Sequence, residues 1–384
     1  MNVVVLGAGY AGVTLTKKLE KSLPSDVEIV LVDDTGVHLV QHELHRVVRR
    51  PAVADYITVP LSEVVDHATV RIGRVTDVDT ANRTVHFADD TTLDYDVATV
   101  CLGAETAFYD LPGVERHATP LKRLEHAHEI REDFLAALDD GGRIVVGGAG
   151  LSGIQVAGEL AELGAEEGGG ARITLLEQFD TVAPNFPANF QRAVHDALTA
   201  KGVEVRTGAT VTEATDDEIR LADDDPVGYD QLVWTGGIRG PDALHGERPA
   251  VRSDLALDRT TFVIGDAAKV VDDAGGAVPA SAQSAIRAAR VAATNVERLV
   301  EHLRAGRAND FAPRLSRFDF DSPGWLVTVG NSAVAQVGPS VFTGRAALTL
   351  KATVGAGYLS SVGAVTEAVE LVNDELGLDP GDDS

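Results

Sequence analysis

The chain has 384 residues, enough for two or three domains, and its 44% hydrophobic and 24% charged residues exclude a disordered protein or a coiled coil. Its 59 acidic residues outnumber its 33 lysines and arginines and give a formal net charge of -26, which argues against binding to nucleic acid or acidic lipid. The single cysteine, Cys101, excludes an intramolecular disulfide and a paired-cysteine redox centre.

The excess of negative charge also indicates that such a chain is more stable at high salt concentration. Repulsion between like charges is screened in molar salt, where the Debye length falls to about 3 Å, and the composition is similar to that of proteins from salt-loving prokaryotes. The first residues have no basic leader, and no uncharged apolar run reaches the ~18 residues of a membrane span. We therefore expect a cytoplasmic protein that at most lies on the inner face of the cell membrane.

The N-terminal segment carries the pattern of a βαβ unit. Residues 3–6 predict a strand, and an amphipathic helix is predicted to end near Lys21. Between them stands the motif Gly7-Ala8-Gly9-Tyr10-Ala11-Gly12. A second strand at residues 28–32 is followed by Asp33. This order of strand, glycine motif, helix, strand and acid is typical of dinucleotide binding.

The same pattern returns later in the chain. A strand at residues 144–147 leads into a helix that runs through Leu163, and a strand at residues 172–176 is followed by Glu177. The second motif is Gly148-Ala149-Gly150-Leu151-Ser152-Gly153. One such motif is a weak signal, but two complete units predict two dinucleotide sites.

Each motif residue has a physical task in such a site. The first glycine permits a tight turn, the second lets the backbone approach a pyrophosphate, and the third lets the helix pack on the strand. Asp33 and Glu177 are expected to accept hydrogen bonds from ribose hydroxyls. A carboxylate at Glu177 would repel a 2′-phosphate and Gln178 supplies no cation, so NADH is favoured over NADPH.

Three further apolar runs predict strands that end in glycine. They are residues 94–103, 229–237 and 261–265, and they carry Gly103, Gly236 and Gly265 at or near their ends. The first two are interpreted as crossings between two interleaved domains. Asp266 follows the third, and a long alanine-rich helix is predicted from about Ala280 to Arg304.

The C-terminal region is predicted to contain one helix with an apolar face. That face consists of Leu348, Ala352, Gly355, Leu359, Val362, Val365, Val369 and Val372. It would contact a bilayer, the domain that carries the first glycine motif, or a second subunit of a homodimer, and the sequence leaves these alternatives open.

Together these features resemble the flavoproteins that bind two dinucleotides and, among them, the type II NADH:quinone oxidoreductases. Both glycine motifs carry the resemblance, with residues 55–61, 233–237, 265–266 and 282–285. It implies an α/β fold with two Rossmann-like domains and a C-terminal α+β or helical region. The FAD domain would comprise residues 1–112 and 240–320, the inserted NADH domain residues 113–239, and the C-terminal region residues 321–384.

The resemblance implies that hydride passes from NADH to FAD and two electrons then pass to a membrane quinone. The cofactor-binding residues would be Gly7, Gly9, Tyr10, Ala11, Gly12, Asp33, Gly103, Gly265 and Asp266, with Gly148, Gly150, Leu151, Ser152, Gly153, Glu177 and Gly236. Glu159 would lie beside the nicotinamide or move protons, and Gln283 would border the quinone pocket. Lys351 is a further candidate contact for quinone or lipid.

Two stretches depart from the family pattern where the acceptor is expected. The glutamine motif continues as Ile286-Arg287, and the usual proline and aromatic stretch is replaced by Gln41-His42-Glu43-Leu44-His45-Arg46. A soluble diaphorase or ferredoxin reductase, and a non-catalytic redox sensor, therefore stay open as alternatives.

The candidate site residues also have ordinary structural explanations. Glu159 could be a solvated carboxylate on a helix surface, and Gln283 an ordinary polar residue in a first helical turn. His38, His42 and His45, with Glu43, could be spaced along a helix as metal ligands. We expect no metal, because no second cluster of ligands accompanies them.

Overall fold

The computed structural model describes residues 1–138, 141–307 and 311–376, with side chains as far as Asp374. Its first layer is a five-stranded sheet in which every neighbouring pair is parallel. In spatial order the strands are Thr261–Val263, Val97–Val100, Asn2–Leu6, Glu28–Asp33 and Thr69–Ile72. Residues 3–6 are fully buried, as expected for a central parallel strand covered on both faces. Helices Tyr10–Ser22 and Ala282–Arg304 pack against each other beside this sheet.

A second five-stranded parallel sheet repeats this architecture. Its strands are Thr119–Pro120, Gln231–Trp234, Arg143–Gly147, Arg172–Leu176 and Glu204–Arg206. Its helices are Leu124–Leu138, Leu151–Glu166 and Ala188–Ala200. The two predicted βαβ units and the two Rossmann-like cores are thereby confirmed.

The chain passes between the two sheets on a short antiparallel pair, Glu105–Thr106 with Ile238–Arg239. The strands predicted as crossings, Val97–Val100 and Gln231–Trp234, instead lie inside the two sheets. Each of these strands is followed directly by one strand of the short antiparallel pair. The Trp234 indole Nε1 donates to the Ala107 carbonyl oxygen at 2.9 Å and fixes this junction.

Smaller elements surround the two sheets. The antiparallel strands are Val75–Asp79, Thr84–Phe87 and Thr92–Asp94; Val211–Ala214, Glu218–Leu221 and Val227–Gly228; and Val37–Leu39 with Thr58–Pro60. A short parallel pair joins Ala250–Val251 to Lys269–Val270. The short helices are Gln41–Glu43, His45–Arg49, Pro51–Val53, Ala54–Ile57, Leu61–Val64, Val114–His117, Asp242–Leu244 and Gly265–Ala267.

The C-terminal region is an α+β unit. Strands Gly324–Val329, Ser332–Val337 and Ser340–Thr343 form an antiparallel sheet, and helices Arg345–Val362 and Val365–Leu376 follow. Helix Leu151–Glu166 packs on this sheet so closely that a Cβ at Gly158 would lie 2.5 Å from the Gly330 nitrogen. The unit of the second sheet and the C-terminal unit are therefore in direct contact.

The prediction of one C-terminal helix with one apolar face is wrong. The chain breaks at Gly363, whose φ of +96° is the left-handed conformation that ends a helix. Leu359 and Val362 are buried, whereas Val365 and Val369 are 59% and 53% exposed, so the predicted face is split between two helices. Among the described residues, we find no helix both long and apolar enough to span a bilayer.

Candidate dinucleotide sites and a buried ion cluster

The first glycine motif forms the tight turn between strand Asn2–Leu6 and helix Tyr10–Ser22. Gly7 has a φ of +96°, and a Cβ there would lie 2.5 Å from the Cys101 carbonyl oxygen. A Cβ at Gly12 would lie 1.8 Å from the Gly7 carbonyl oxygen. At Gly9, by contrast, no described atom lies within 4 Å of such a Cβ. The first and third positions therefore have no room for a side chain, while the second faces open space.

The second motif repeats this geometry. Gly148 has a φ of +95°, and a Cβ at Gly153 would lie 1.9 Å from the Gly148 carbonyl oxygen. Apart from its chain neighbours, no described atom lies within 4 Å of a Cβ placed at Gly150. Leu151 and Ser152 begin the following helix, so its first backbone amides face the same open space. Both loops fit a pyrophosphate, which needs close approach to the backbone and the positive end of a helix.

The predicted ribose-binding acids are held ready by the glycine loops themselves. Asp33 accepts from the Ala8 amide at 2.9 Å and from the Thr35 hydroxyl at 2.7 Å. Glu177 accepts from the Ala149 amide at 2.8 Å and from the Phe179 amide at 3.0 Å. Each carboxylate is thus fixed beside its own motif with acceptor capacity left for a ligand.

Asp266 lies beside a cationic pair that sequence reasoning missed. Burial raises the pKa of the Asp266 carboxyl, and the positive charges of Lys122 and Arg248 lower it in part. The Arg248 Nε donates to the Asp266 carbonyl oxygen at 2.6 Å. Lys122 and Arg248 are 126 positions apart in the sequence, so no local pattern pairs them.

 

The other predicted glycines differ in their surroundings. Gly103 and Gly265 have left-handed φ values of +70° and +68°, which favour glycine. A Cβ at Gly236 would lie 2.6 Å from the Trp234 ring, and the Gly236 carbonyl oxygen accepts from the Tyr109 hydroxyl at 3.2 Å. The structure explains all three glycines by turn geometry or packing, and their contact with a cofactor stays a prediction.

Glu159 is not the solvated surface carboxylate of the ordinary explanation, because its side chain is 1% exposed. The Arg49 Nε lies 2.8 Å from Glu159 Oε2, and the His45 Nε2 lies 3.9 Å from Oε1. Burial raises the pKa of the Glu159 carboxyl, while Arg49 and other cations act in the opposite direction. Glu159 therefore belongs to a buried ion cluster on the inner face of helix Leu151–Glu166.

The same cluster extends to the C-terminal helices. The Lys351 Nζ lies 2.8 Å from Glu43 Oε2, and the Arg46 Nη1 lies 3.0 Å from the same oxygen. Arg46 and Arg50 both pair with Asp374. Lys351 is only 5% exposed, which contradicts its predicted contact with lipid, while its contact with quinone stays a prediction. The segment that departs from the family pattern thus joins three parts of the chain.

Gln283 lies in the first turn of helix Ala282–Arg304. The Ser281 hydroxyl caps this helix by accepting from the Ser284 amide at 3.1 Å. The Gln283 Oε1 accepts from the Ser322 hydroxyl at 3.0 Å, which ties the helix to the start of the C-terminal unit. Its contact with an acceptor stays a prediction.

The three histidines do not share one helix. His38 lies in strand Val37–Leu39, and its Nδ1 contacts the Ala8 carbonyl oxygen at 2.8 Å. The His45 Nε2 contacts the Thr328 hydroxyl at 2.8 Å. Within residues 1–138, 141–307 and 311–376, no three His, Cys, Asp or Glu side chains are grouped for a metal ion. Burial raises the pKa of the Cys101 thiol, which disfavours the reactive thiolate.

Two parallel sheets, each with an open glycine loop and a fixed acid, define a protein that binds two dinucleotides. A family model described as pyridine nucleotide-disulphide oxidoreductase matches residues 1–289 of the 384, and the chain belongs to that family. With one cysteine, the chain lacks the paired thiols that the family's name mentions.

Curated relatives give the same classification. The type II NADH:quinone oxidoreductase Ndh of Mycobacterium tuberculosis is 27% identical, over 97% of this chain and 86% of that protein. The NADH dehydrogenase-like protein YutJ of Bacillus subtilis is 27% identical, over 62% of this chain and 65% of that protein. The chain therefore spans slightly less than two thirds of the second relative.

Solved structures share the fold. NDH2 from Plasmodium falciparum in complex with NADH aligns with a TM-score of 0.80 at 14% identity, over 97% of each chain. The sulfide:quinone oxidoreductase from Aquifex aeolicus aligns with a TM-score of 0.77 at 17% identity, over 96% of this chain and 93% of that one. At these identities the likeness concerns the fold alone.

Proposed function

We propose that the chain is an FAD-dependent NADH:quinone oxidoreductase. The observation that carries the proposal is the pair of open glycine loops, each with its own fixed carboxylate, on one chain. The relatives named as type II NADH:quinone oxidoreductases support the choice of substrates. FAD, when bound, supplies the chemistry that accepts a hydride and passes on two electrons.

The chain's own residues would bind and orient the two dinucleotides. Backbone amides after Gly9 and Gly150 would hold the pyrophosphates at the positive ends of two helices. This local attraction opposes the repulsion between an anionic cofactor and a chain of net charge -26. Asp33 would orient the FAD ribose, Glu177 would orient the NADH ribose, and Asp266 would hold the ribityl or pyrophosphate part of FAD.

Glu159 is suited to hold a proton near the site where NADH and flavin meet. Burial raises the pKa of its carboxyl, so Glu159 binds a proton more readily than a solvated glutamate does. Arg49 fixes one oxygen, and the other faces His45. Gln283 would border the acceptor from the start of helix Ala282–Arg304.

The domain assignment and the location in the cell belong to the same proposal. The FAD domain would comprise residues 1–112 and 240–320, the NADH domain residues 113–239, and the C-terminal region residues 321–384. The exposed side chains of Val354, Val365 and Val369 lie on the C-terminal helices. We propose that this surface rests on the inner face of the membrane, with a homodimer contact as the alternative.

Steady-state turnover of the purified protein in molar salt tests the proposed function. Flavin released by heat should be FAD, and NADH oxidation should depend on added menadione. A ferredoxin or a small soluble dye in place of the quinone should give slower turnover. Faster turnover with ferredoxin than with quinone would favour the soluble reductase, and slow turnover with every acceptor would favour the redox sensor.

The coenzyme preference gives a separate prediction. We expect Glu177→Gln to lower the discrimination between NADH and NADPH by about tenfold, because the carboxylate that repels a 2′-phosphate is removed. The ratio of kcat/KM for the two coenzymes measures this effect. Asp33→Asn is the matched control, and it should weaken FAD retention without changing that ratio. An unchanged ratio in Glu177→Gln would contradict the assignment of Glu177.

A further inference from the structure

Tyr10, His42 and Glu43 form a hydrogen-bonded triad beside the first glycine loop. The Tyr10 hydroxyl contacts His42 Nδ1 and also accepts from the His42 backbone amide at 3.3 Å. The His42 Nε2 lies 3.2 Å from Glu43 Oε1. Tyr10 follows Gly9, the motif residue whose backbone faces open space. The triad therefore starts at the edge of the predicted FAD site.

Buried cations keep Glu43 in its charged form. Its side chain is 1% exposed, and Lys351 and Arg46 both contact its Oε2. Although burial alone would raise the pKa of Glu43, Lys351 and His42 hold it well below its usual range. The ionised Glu43 carboxylate accepts a hydrogen bond and therefore favours the His42 tautomer with its hydrogen on Nε2. In that tautomer Nδ1 accepts a hydrogen bond from the Tyr10 hydroxyl.

The triad has one opening to solvent and one buried end. The His42 side chain is 35% exposed, whereas Tyr10 is 9% exposed. Burial and the neighbouring Tyr358 raise the pKa of Tyr10 well above its usual value, so the hydroxyl keeps its proton at rest. The adjacent Gln41 Nε2 donates to the Lys122 carbonyl oxygen at 3.3 Å. That contact places the segment next to Lys122, whose positive charge acts on Asp266.

We propose that Tyr10, His42 and Glu43 form a proton relay that supplies the acceptor with the proton that NADH does not provide. This inference rests on the proposed function. Reduction of a quinone to its hydroquinone takes two electrons and two protons, and the hydride of NADH supplies two electrons and one proton. One further proton must come from water, through groups of the protein.

The geometry gives the order of events. As the Tyr10 hydroxyl turns away from His42 Nδ1, that nitrogen takes a proton from water, and Glu43 stabilises the imidazolium that forms. His42 Nδ1 then donates a hydrogen bond to the Tyr10 oxygen, so the Tyr10 hydroxyl proton stays directed towards the open space at Gly9. As the Tyr10 O–H bond breaks, an O–H bond forms on the acceptor, and the Nδ1 proton passes to Tyr10. The triad returns to its resting form with one proton consumed.

Rapid mixing of NADH-reduced holoenzyme with menadione or ferricyanide tests the relay, because ferricyanide takes electrons without protons. We expect Tyr10→Phe and His42→Asn each to slow reoxidation by menadione by about 100-fold, the usual scale of general acid catalysis. Reduction by NADH and reoxidation by ferricyanide should stay within about twofold of the unaltered protein in His42→Asn, and in Tyr10→Phe the loss with menadione should exceed any loss with ferricyanide by at least tenfold. The double variant should be no slower than either single variant, since the residues act as one unit.

Tyr358→Phe is the matched control. Its hydroxyl contacts His38 Nε2 at 2.9 Å and its ring packs 4.9 Å from the Tyr10 ring, yet it lies outside the relay. We expect normal menadione rates in this variant. Normal rates in Tyr10→Phe, or equal losses with both acceptors, would overturn the relay. Failure of menadione with the unaltered protein would instead overturn the proposed function.

Discussion

Replacing Gly153 by alanine is expected to slow reduction of the bound flavin by NADH by about 100-fold while the protein stays yellow. The new Cβ would lie 1.9 Å from the Gly148 carbonyl oxygen and 2.7 Å from the Thr235 hydroxyl, so the second loop must move. A displacement of about 1 Å at a bound substrate can cost about 100-fold in rate. The first loop is untouched, and FAD should remain bound.

Anaerobic mixing with NADH, followed by flavin absorbance, measures this loss, and the FAD content of the purified variant is recorded beside it. Gly170→Ala is the matched control in the same unit. The space around a Cβ at Gly170 is free of described atoms to 4 Å, and its φ lies outside the left-handed region. Normal reduction in Gly153→Ala would show that the second loop does not bind NADH.

Replacing Arg49 by methionine is expected to lower the free energy of unfolding by about 3–5 kcal/mol. The substitution leaves the Glu159 carboxylate buried without its partner at 2.8 Å, and an uncompensated buried charge carries a cost of that size. Glu162 and Glu166, which also lie near Arg49, would lose a neighbouring cation. Denaturant unfolding of the holoenzyme at constant molar salt measures the change.

Two further variants show whether the pair or the packing is responsible. Adding Glu159→Gln to Arg49→Met should recover part of the loss, because the unpaired charge is removed. Arg220→Met breaks an ion pair whose side chains are 48% and 38% exposed, and it should leave the unfolding midpoint unchanged. Equal losses in Arg49→Met and Arg220→Met would contradict a special role for burial.

The sequence predicts the two dinucleotide units well because their signals are local. Gly7 lies in the loop before helix Tyr10–Ser22, Gly12 lies in its first turn, and Asp33 ends the next strand, so the packing of each unit is decided within a short stretch. The strand Arg172–Leu176 has the predicted bounds, and the helix predicted from about Ala280 begins at Ala282. Local periodicity and turn chemistry were sufficient for these elements.

The ion cluster could not be predicted in the same way. Lys351 and Glu43 are 308 positions apart, and Arg49 meets Glu159 only because two units pack together. The partner of a buried charge is chosen by tertiary packing, which a single sequence does not display. The prediction of one C-terminal helix fails for a different reason: the apolar period continues through Gly363, but a glycine there is an ordinary signal for a helix end.

Transfer of electrons from NADH to a quinone by this chain is tested most directly by one measurement. The purified yellow protein is reduced with NADH under anaerobic conditions in molar salt and mixed with a menaquinone analogue, and the recovery of oxidised flavin absorbance is timed. We predict recovery within milliseconds to seconds, the range of ordinary enzyme turnover. Recovery only over many minutes, after rapid bleaching by NADH, would contradict such transfer.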